Sequence, residues 1–507
     1  MRAATLANFV MHFSDARSRN PIFIAVVIIA LAFSWLAFEI PKGILSSSGD
    51  EMLTAERSRE MLLLGRSEVH FNLAPSFQKP PLQYWLTSFT LARLENRALA
   101  VRIWPWFYGI VTAIAVAWLA FILEPNRLWV VALSVAIVIS CPLFATEASR
   151  GLLDTGLAFF ATLAIGFAHL ARKRPVCWAG VAVACWLGSL QKIPIPFLLW
   201  LFILAVRSIS ATDRKQLKST SLFVSILSAI LAMAIWPVTQ LLRHDVPLQE
   251  LYHEEVVDWL GPENLGANPY LEIPYRLITT SACGFFLLLA PLTILIWRKG
   301  GFSRPASEIS IICLALMAFE TVFGFRHVRY IESIIPAMCL LLAMVLHRLL
   351  ERGRALQVAA CTLMAVLVLA GLSQAKLQLD YRRRKDFSDE KRVAEELGTL
   401  QKEGVRTILI KAIKVGSDLH FASFYLFHGN LRFPVTKYTV DEIRQSPPSP
   451  PIMGVCVARD FPAVQAVYPN AKMQFTRAQF IIWSVDDSRA GALTLVKRTR
   501  STCHEKI

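Results

Sequence analysis

Residues 22–38 read IFIAVVIIALAFSWLAF and carry no charge; residues 39–51, EIPKGILSSSGDE, end on the acids Asp50 and Glu51. A run of this kind is about what a helix needs to cross the roughly 30 Å of bilayer hydrocarbon. No small-residue cleavage site follows it and many similar runs do, so it reads as a retained span rather than a cleaved leader. The turn-rich stretch after it then delivers two carboxylates to the membrane surface. The same criterion marks about eleven spans, near 22–40, 100–123, 128–144, 152–171, 176–190, 194–206, 220–241, 276–297, 307–324, 331–349 and 355–374. Gln191-Lys192-Ile193-Pro194 divides the fifth from the sixth.

Composition agrees. Of 507 residues 55% are hydrophobic and 18% charged, with a mean hydropathy of +0.47. A soluble chain carries about a quarter of its residues as charges. The net charge of +16 does not point to nucleic acid, because the basic residues stand at the ends of apolar runs. Such clusters mark cytoplasmic loops. Seven of the nine cysteines, Cys141 through Cys361, fall in or beside apolar runs, and their spacing fits no zinc or redox motif. They read as small packing residues.

The basic clusters fix an orientation. Arg2, Arg17 and Arg19 precede the first span, Arg172-Lys173-Arg174 follow the fourth, and Arg207, Arg214, Lys215 and Lys218 follow the sixth. Arg298, Lys299 and Arg304 follow the eighth, and Arg348, Arg352 and Arg354 the tenth. With the amino terminus inside, all of them face the cytoplasm. Loops 41–99 and 242–275 then face outward, the second of them acidic, and so does everything after residue 375. In that tail a charged helical stretch, residues 386–400, precedes β-prone runs at 407–410, 452–458 and 480–485. The expected architecture is a polytopic α-helical membrane domain, residues 1–375, with a small extracytoplasmic α/β domain, residues 376–507.

Chemistry gathers in the first outer loop. Asp50 opens a helix-like run, where an acid caps the positive helix end or serves as a general base toward an incoming hydroxyl. Phe77-Gln78-Lys79-Pro80-Pro81-Leu82-Gln83-Tyr84-Trp85 follows. Tyr84 and Trp85 read as interfacial anchors. Lys79 reads as a snorkelling headgroup contact or as the cation that holds a leaving phosphate. Arg150 and Asp154, at the outer end of the fourth span, are an i, i+4 ion pair on the plain reading.

Together these pieces resemble the polyprenyl-phosphate-dependent GT-C glycosyltransferases. The closest likeness is to the bacterial branch of lipid A aminoarabinose transferases and to protein O-mannosyltransferase relatives. The resemblance rests on the Asp-Glu pair in the first outer loop, Phe-x-Lys-Pro-Pro-x-x-Tyr-Trp, and Arg-x-x-x-Asp. It extends to Gly188 through Pro194, His253-Glu254-Glu255, and Arg326-His327-Val328-Arg329-Tyr330 with Pro336, and covers residues 20–350. It implies Asp50 as the catalytic acid and Asp154 as a second acid near the site. It likewise implies Lys79 and Tyr330 at the donor phosphate, with Arg57, Arg59 and Arg150 as helpers. Three departures matter: Gln78 replaces the usual Glu, Ser76 stands where Tyr is expected, and Leu53 where Arg is expected. In the aminoarabinose branch that Glu helps hold a divalent metal, and an amide is a poorer ligand. Gln78 thus argues against a divalent metal and against aminoarabinose as the sugar, and leaves His253 as the candidate ligand if a metal is bound.

The implied reaction is displacement at an anomeric carbon, transferring a sugar from a polyprenyl-phosphate donor to an envelope acceptor: lipid A, core saccharide, another glycan or protein. The site lies at the outer face of a bacterial inner membrane. No glycine-rich phosphate loop is present, which suits a lipid-phosphate donor. The alternative, a transporter or lipid flippase, would favour inverted repeats and ionisable residues at mid-membrane depth. On this reading the polar residues lie in the outer loops and the spans are nearly clean.

Overall fold

The computed structural model describes residues 49–65, 67–71, 73–76, 79–193, 195–209, 220–244, 304–322, 328–350, parts of 358–377, 388–400, 405–411 and 435–485. It divides into two compact units. One holds residues 77–83 and 102–380, the other 43–76, 84–101 and 381–507.

The first unit is helical. Helix α3 (Arg97–Leu123), most of which lies in this unit, is followed by α4 (Leu128–Ser140) and the short α5 (Pro142–Glu147). Then come α6 (Asp154–Leu170), α7 (Cys177–Gln191), α8 (Ile195–Ile209) and α9 (Thr220–His244). Later in the chain, α10 (Arg304–Val322) leads to a 3-10 turn (Val328–Ile334) and α11 (Ile335–Leu350). The break expected near residue 192 is present: α7 stops at Gln191, Lys192 is extended, and α8 starts at Ile195. The expected third span, in contrast, ends early, because Pro142 cannot donate into α4 and starts α5 instead.

The helical unit is apolar on its outer faces as well as in its core. Phe107, Ile114 and Phe121, seven residues apart on α3, are exposed, while Ala113, Val116, Leu119 and Ala120 of the same helix are buried. On α9, Phe223, Leu227, Leu231 and Ile235 are exposed. Water would penalise such continuous apolar faces, and lipid would not. Among the described residues two helices, Arg97–Leu123 and Ile331–Arg348, are long and apolar enough to cross a membrane, and five shorter ones are apolar. Helices meet at small residues: a Cβ on Gly166 of α6 would stand 2.1 Å from the Trp118 ring of α3. Of the described cysteines Cys141, Cys185, Cys313, Cys339 and Cys456 are buried, in keeping with a packing role.

In the second unit α1 (Gly49–Leu64) is followed by a minimal hairpin, β1 (His70–Phe71) with β2 (Ala74–Pro75), and by α2 (Leu82–Leu91), which lies mostly in this unit. Ala55 of α1 packs with Leu91, Ala100 and Val101. Further on, α12 (Ser388–Leu400) precedes a sheet of five strands among the described residues. These are β3 (Arg406–Lys411), β4 (Val435–Thr439), β5 (Ile452–Val457), β6 (Lys472–Arg477) and β7 (Phe480–Val485), in the order β4-β3-β5-β7-β6. Strands β4, β3 and β5 run parallel; β7 pairs antiparallel with both β5 and β6. The helices α13 (Val440–Gln445) and α14 (Phe461–Val467) flank it, and a capping box of Thr439 and Glu442 starts α13.

Period-two alternation sorts the sheet's side chains. Met453, Val455, Val457, Phe480 and Ile482 face α12, while Ile452, Cys456, Ile481, Trp483 and Val485 pack with Ile443, Phe461 and Val464. Burial, with Asp460 beside it, pushes the Cys456 thiol up to about 12, so at neutral pH it is a packing group.

Candidate active site

Helix α1 is charged in sequence yet buried nearly throughout. Asp50, half-buried, and Glu51 occupy its first turn, where the helix dipole favours acids. Buried charge must be paired, and within this unit it is. Arg59 forks onto Glu56 with bonds of 3.0 and 2.9 Å, their side chains 1% and 0% exposed. Glu60 accepts the Leu73 N–H at 2.8 Å. Arg57 donates to the Tyr84 hydroxyl at 3.0 Å, its guanidinium 5.5 and 5.7 Å from the Phe71 and Tyr84 ring centres. Tyr84 is therefore a buried partner of Arg57 and not the interfacial anchor expected; its neighbour Trp85 is exposed and donates to the Ser67 carbonyl. Arg59, read as a phosphate cation, stands beside Glu56, as Arg150 in the helical unit stands beside Glu147.

In the helical unit a second polar cluster forms. The expected Arg150–Asp154 pair is not made. The chain leaves α5 and turns before α6, so the two are not successive turns of one helix, and each finds another partner. Arg150 pairs with Glu147 at 2.6 Å, and Asp154, at the start of α6, pairs with Lys192 at 2.5 Å. All four side chains are at most 8% exposed. Thr155 donates to Glu332 Oε1 at 2.8 Å, which brings the 3-10 turn onto the start of α6. Gln191 donates to Gln83 Oε1 at 3.1 Å and to the Leu153 carbonyl at 3.0 Å, and a Cβ on Gly156 would lie 2.6 Å from its Nε2. Glycine is thus what lets α6 approach the end of α7.

Two further carboxylates reach the cluster. Glu320 of α10 and Glu332 are fully buried, within electrostatic reach of Asp154 and Lys192. Neither Glu320 oxygen has a hydrogen-bond partner among the described residues, nor has Glu332 Oε2. The spans are consequently less clean than the sequence reading held. An apolar cavity of about 270 Å³ also opens among α7, α8 and α9; Ser189 and Ile193, either side of Lys192 in the chain, line it with Pro196, Phe197, Ile230 and Met233.

Of the residues expected at a site, Asp50, Arg57 and Arg59 share the unit of α1, whereas Lys79 (half-buried), Arg150 and Asp154 belong to the helical unit. Tyr330 lies in the 3-10 turn, with its side chain outside the described residues, and Gln78 and His253 lie outside them altogether. Among the described residues no group of three or more His, Cys, Asp or Glu is arranged to hold a metal ion. Sequence reading missed Glu147, Lys192, Glu320 and Glu332 as members of a site. For the last two the signal was present: an acid inside an apolar run is expensive and marks function by default.

A family model described as dolichyl-phosphate-mannose-protein mannosyltransferase matches residues 61–246. A relative from Pectobacterium carotovorum subsp. carotovorum, named undecaprenyl phosphate-alpha-4-amino-4-deoxy-L-arabinose arabinosyl transferase, is 32% identical over 200 residues, 37% of this chain and 35% of that protein. One of the same name from Pseudomonas savastanoi pv. phaseolicola is 27% identical over 356 residues, 63% of this chain and 62% of its own. The chain thus matches about a third of the first relative's length and less than two thirds of the second's. ArnT from Cupriavidus metallidurans, solved bound to undecaprenyl phosphate, superposes with a TM-score of 0.66 at 17% identity, covering 90% of this chain and 97% of that one. The fold is therefore that of a polytopic membrane protein, and the resemblance to the polyprenyl-phosphate-dependent GT-C glycosyltransferases holds in family model, relatives and fold alike.

Proposed function

We propose that this chain is a glycosyltransferase of the inner membrane that moves a sugar from a polyprenyl-phosphate donor to an envelope acceptor at the outer face. The observation that carries the reading is the fold it shares, over 90% of its length, with a protein solved bound to undecaprenyl phosphate. In the finer form of the proposal about eleven helices cross the membrane with the amino terminus inside. Residues 376–507 then form a periplasmic α/β domain.

Asp50 accepts the proton of the attacking hydroxyl. The leaving polyprenyl phosphate is already a stable anion and needs no acid. Lys79, with Arg57, Arg59, Arg150 and Tyr330 as helpers, stabilises its charge as it develops. Asp154 acts from a fixed position, held by Lys192. The apolar cavity beside Lys192 suits part of an isoprenoid chain, whose withdrawal from hydrocarbon costs about 0.8 kcal/mol per CH₂. A lipid-bound donor requires a membrane-bound catalyst.

The relatives' names point to an amino sugar, while Gln78 in place of the usual acid argues for some difference at the donor. The test is to incubate membranes containing the chain with radiolabelled polyprenyl-phosphate sugars, amino and neutral, and with lipid A, core saccharide and protein acceptors. Transfer from one donor establishes the reaction and names the sugar. Movement of intact lipid-linked sugar across the membrane without transfer would replace the enzyme by a flippase.

A further inference from the structure

Asp154 is flanked on both sides by contacts that have no part in the chemistry proposed above. The Leu153 carbonyl accepts from Gln191 Nε2 at 3.0 Å, Thr155 donates to Glu332 Oε1 at 2.8 Å, and Gly156 leaves the space that the Gln191 amide fills. The same Gln191 nitrogen donates to Gln83 Oε1 at 3.1 Å. A carbonyl oxygen can only accept, so Leu153 fixes which way the Gln191 amide points. Gln83, Thr155, Gln191 and Glu332 are all fully buried.

Each partner lies close in the chain to a residue assigned to the site. Gln83, in the first turn of α2, comes four residues after Lys79, Gln191 precedes Lys192, and Glu332 shares the 3-10 turn with Tyr330. The bonded residues stand 38, 108 and 177 apart in sequence, so no local geometry keeps these segments in register. Helices packed in lipid need only small and apolar contacts, such as that of Gly166 with Trp118. Hydrogen bonds add a fixed distance and angle between the segments.

We propose that Gln191 and Thr155 are positioning residues for sugar transfer. Gln191 ties the segment of Lys79 to that of Asp154, and Thr155, through Glu332, ties the turn of Tyr330 to the same point. The assignment rests on the transferase reading. Neither residue touches the donor; each acts by holding other groups in place, and a displacement of about 1 Å costs up to about 10²-fold in rate.

The test measures kcat, donor KM and thermal unfolding of the purified full chain, with the labelled polyprenyl-phosphate sugar that gives transfer in membranes. Gln191→Met, which keeps the volume and removes the donor, is expected to lower kcat about 10- to 100-fold. KM should change little, because the lipid tail still binds while the transition state is met by misplaced groups. Thr155→Val should lose kcat likewise, and Thr155→Ser, which keeps the hydroxyl, should retain it. Gly156→Ala, whose Cβ would stand 2.6 Å from Gln191 Nε2, should cost kcat alone but little more once Gln191→Ala has removed the amide. Ser225→Ala removes a buried bond of 2.6 Å to the Trp178 carbonyl at the other end of α7, and should lower the melting temperature without lowering kcat. Undiminished kcat in Gln191→Met, or a loss in Ser225→Ala as large as in Gln191→Met, would overturn the proposal. So would equal losses in Thr155→Val and Thr155→Ser, the pair that decides should Gln191→Met fail to fold. A wild-type chain that transfers from no amino or neutral donor would instead remove the transferase reading, and this assignment with it.

Discussion

At the scale of the residue, the buried ion pairs decide what Asp154 can do. Removing one member of a buried pair leaves the other charged and unpaired, at a cost of about 3–5 kcal/mol, whereas replacing both is often neutral. Lys192→Met is thus expected to lower thermal stability sharply, and Asp154→Leu/Lys192→Met to recover most of it, as read by thermal unfolding in detergent. Recovered stability without recovered transfer would assign Asp154 a part in positioning substrate. Glu320 presents the opposite case: neither oxygen has a hydrogen-bond partner among the described residues, so its burial is offset only by the charge of Lys192 nearby. Glu320→Gln is expected to raise the melting temperature, and a fall would reveal an unseen partner. None of these pairings was legible in sequence. Lys192 and Asp154 stand 38 residues apart, and Thr155 and Glu332 177 apart. Arg150 looked like Asp154's partner because i, i+4 spacing assumes one continuous helix, which the turn before α6 does not supply.

At the scale of the element, more was legible because local chemistry fixes it. The break read at residues 191–194 is where α7 stops, at Gln191, and the β-prone runs near 407, 452 and 480 fall on β3, β5 and β7. The burial of α1 could not be read: its charges suggest an exposed helix, and it is partners such as Glu56 to Arg59, Glu60 to Leu73 and Arg57 to Tyr84 that make its burial affordable. In the sheet, Gly454 lies under the Trp483 ring, where a Cβ would come within 2.2 Å of the indole. Gly454→Ala should therefore destabilise the sheet by about 1–3 kcal/mol through overpacking, visible as earlier loss of Trp fluorescence on denaturation. An unchanged transition would mean that Trp483 repacks freely.

At the scale of the whole molecule, the order of apolar runs and basic clusters carried the membrane assignment, since span length and charge bias are properties of the chain itself. Arg172, Arg207 and Arg304, from three different even-numbered connections, meet at Glu308, which supports putting those connections on one side. In a cysteine-free background, Arg444→Cys is expected to react with a membrane-impermeant maleimide added outside the inner membrane, and Arg174→Cys only after permeabilisation; the reverse pattern would invert the orientation. The central claim, sugar transfer with Asp50 as the base, is tested most directly by comparing the purified chain with its Asp50→Asn form. Both are supplied with the labelled donor and acceptor, and polyprenyl phosphate release is measured. The account predicts release by the wild type and a loss of about 10²–10⁴-fold in Asp50→Asn, with unchanged thermal unfolding. Equal release by the two proteins would contradict it.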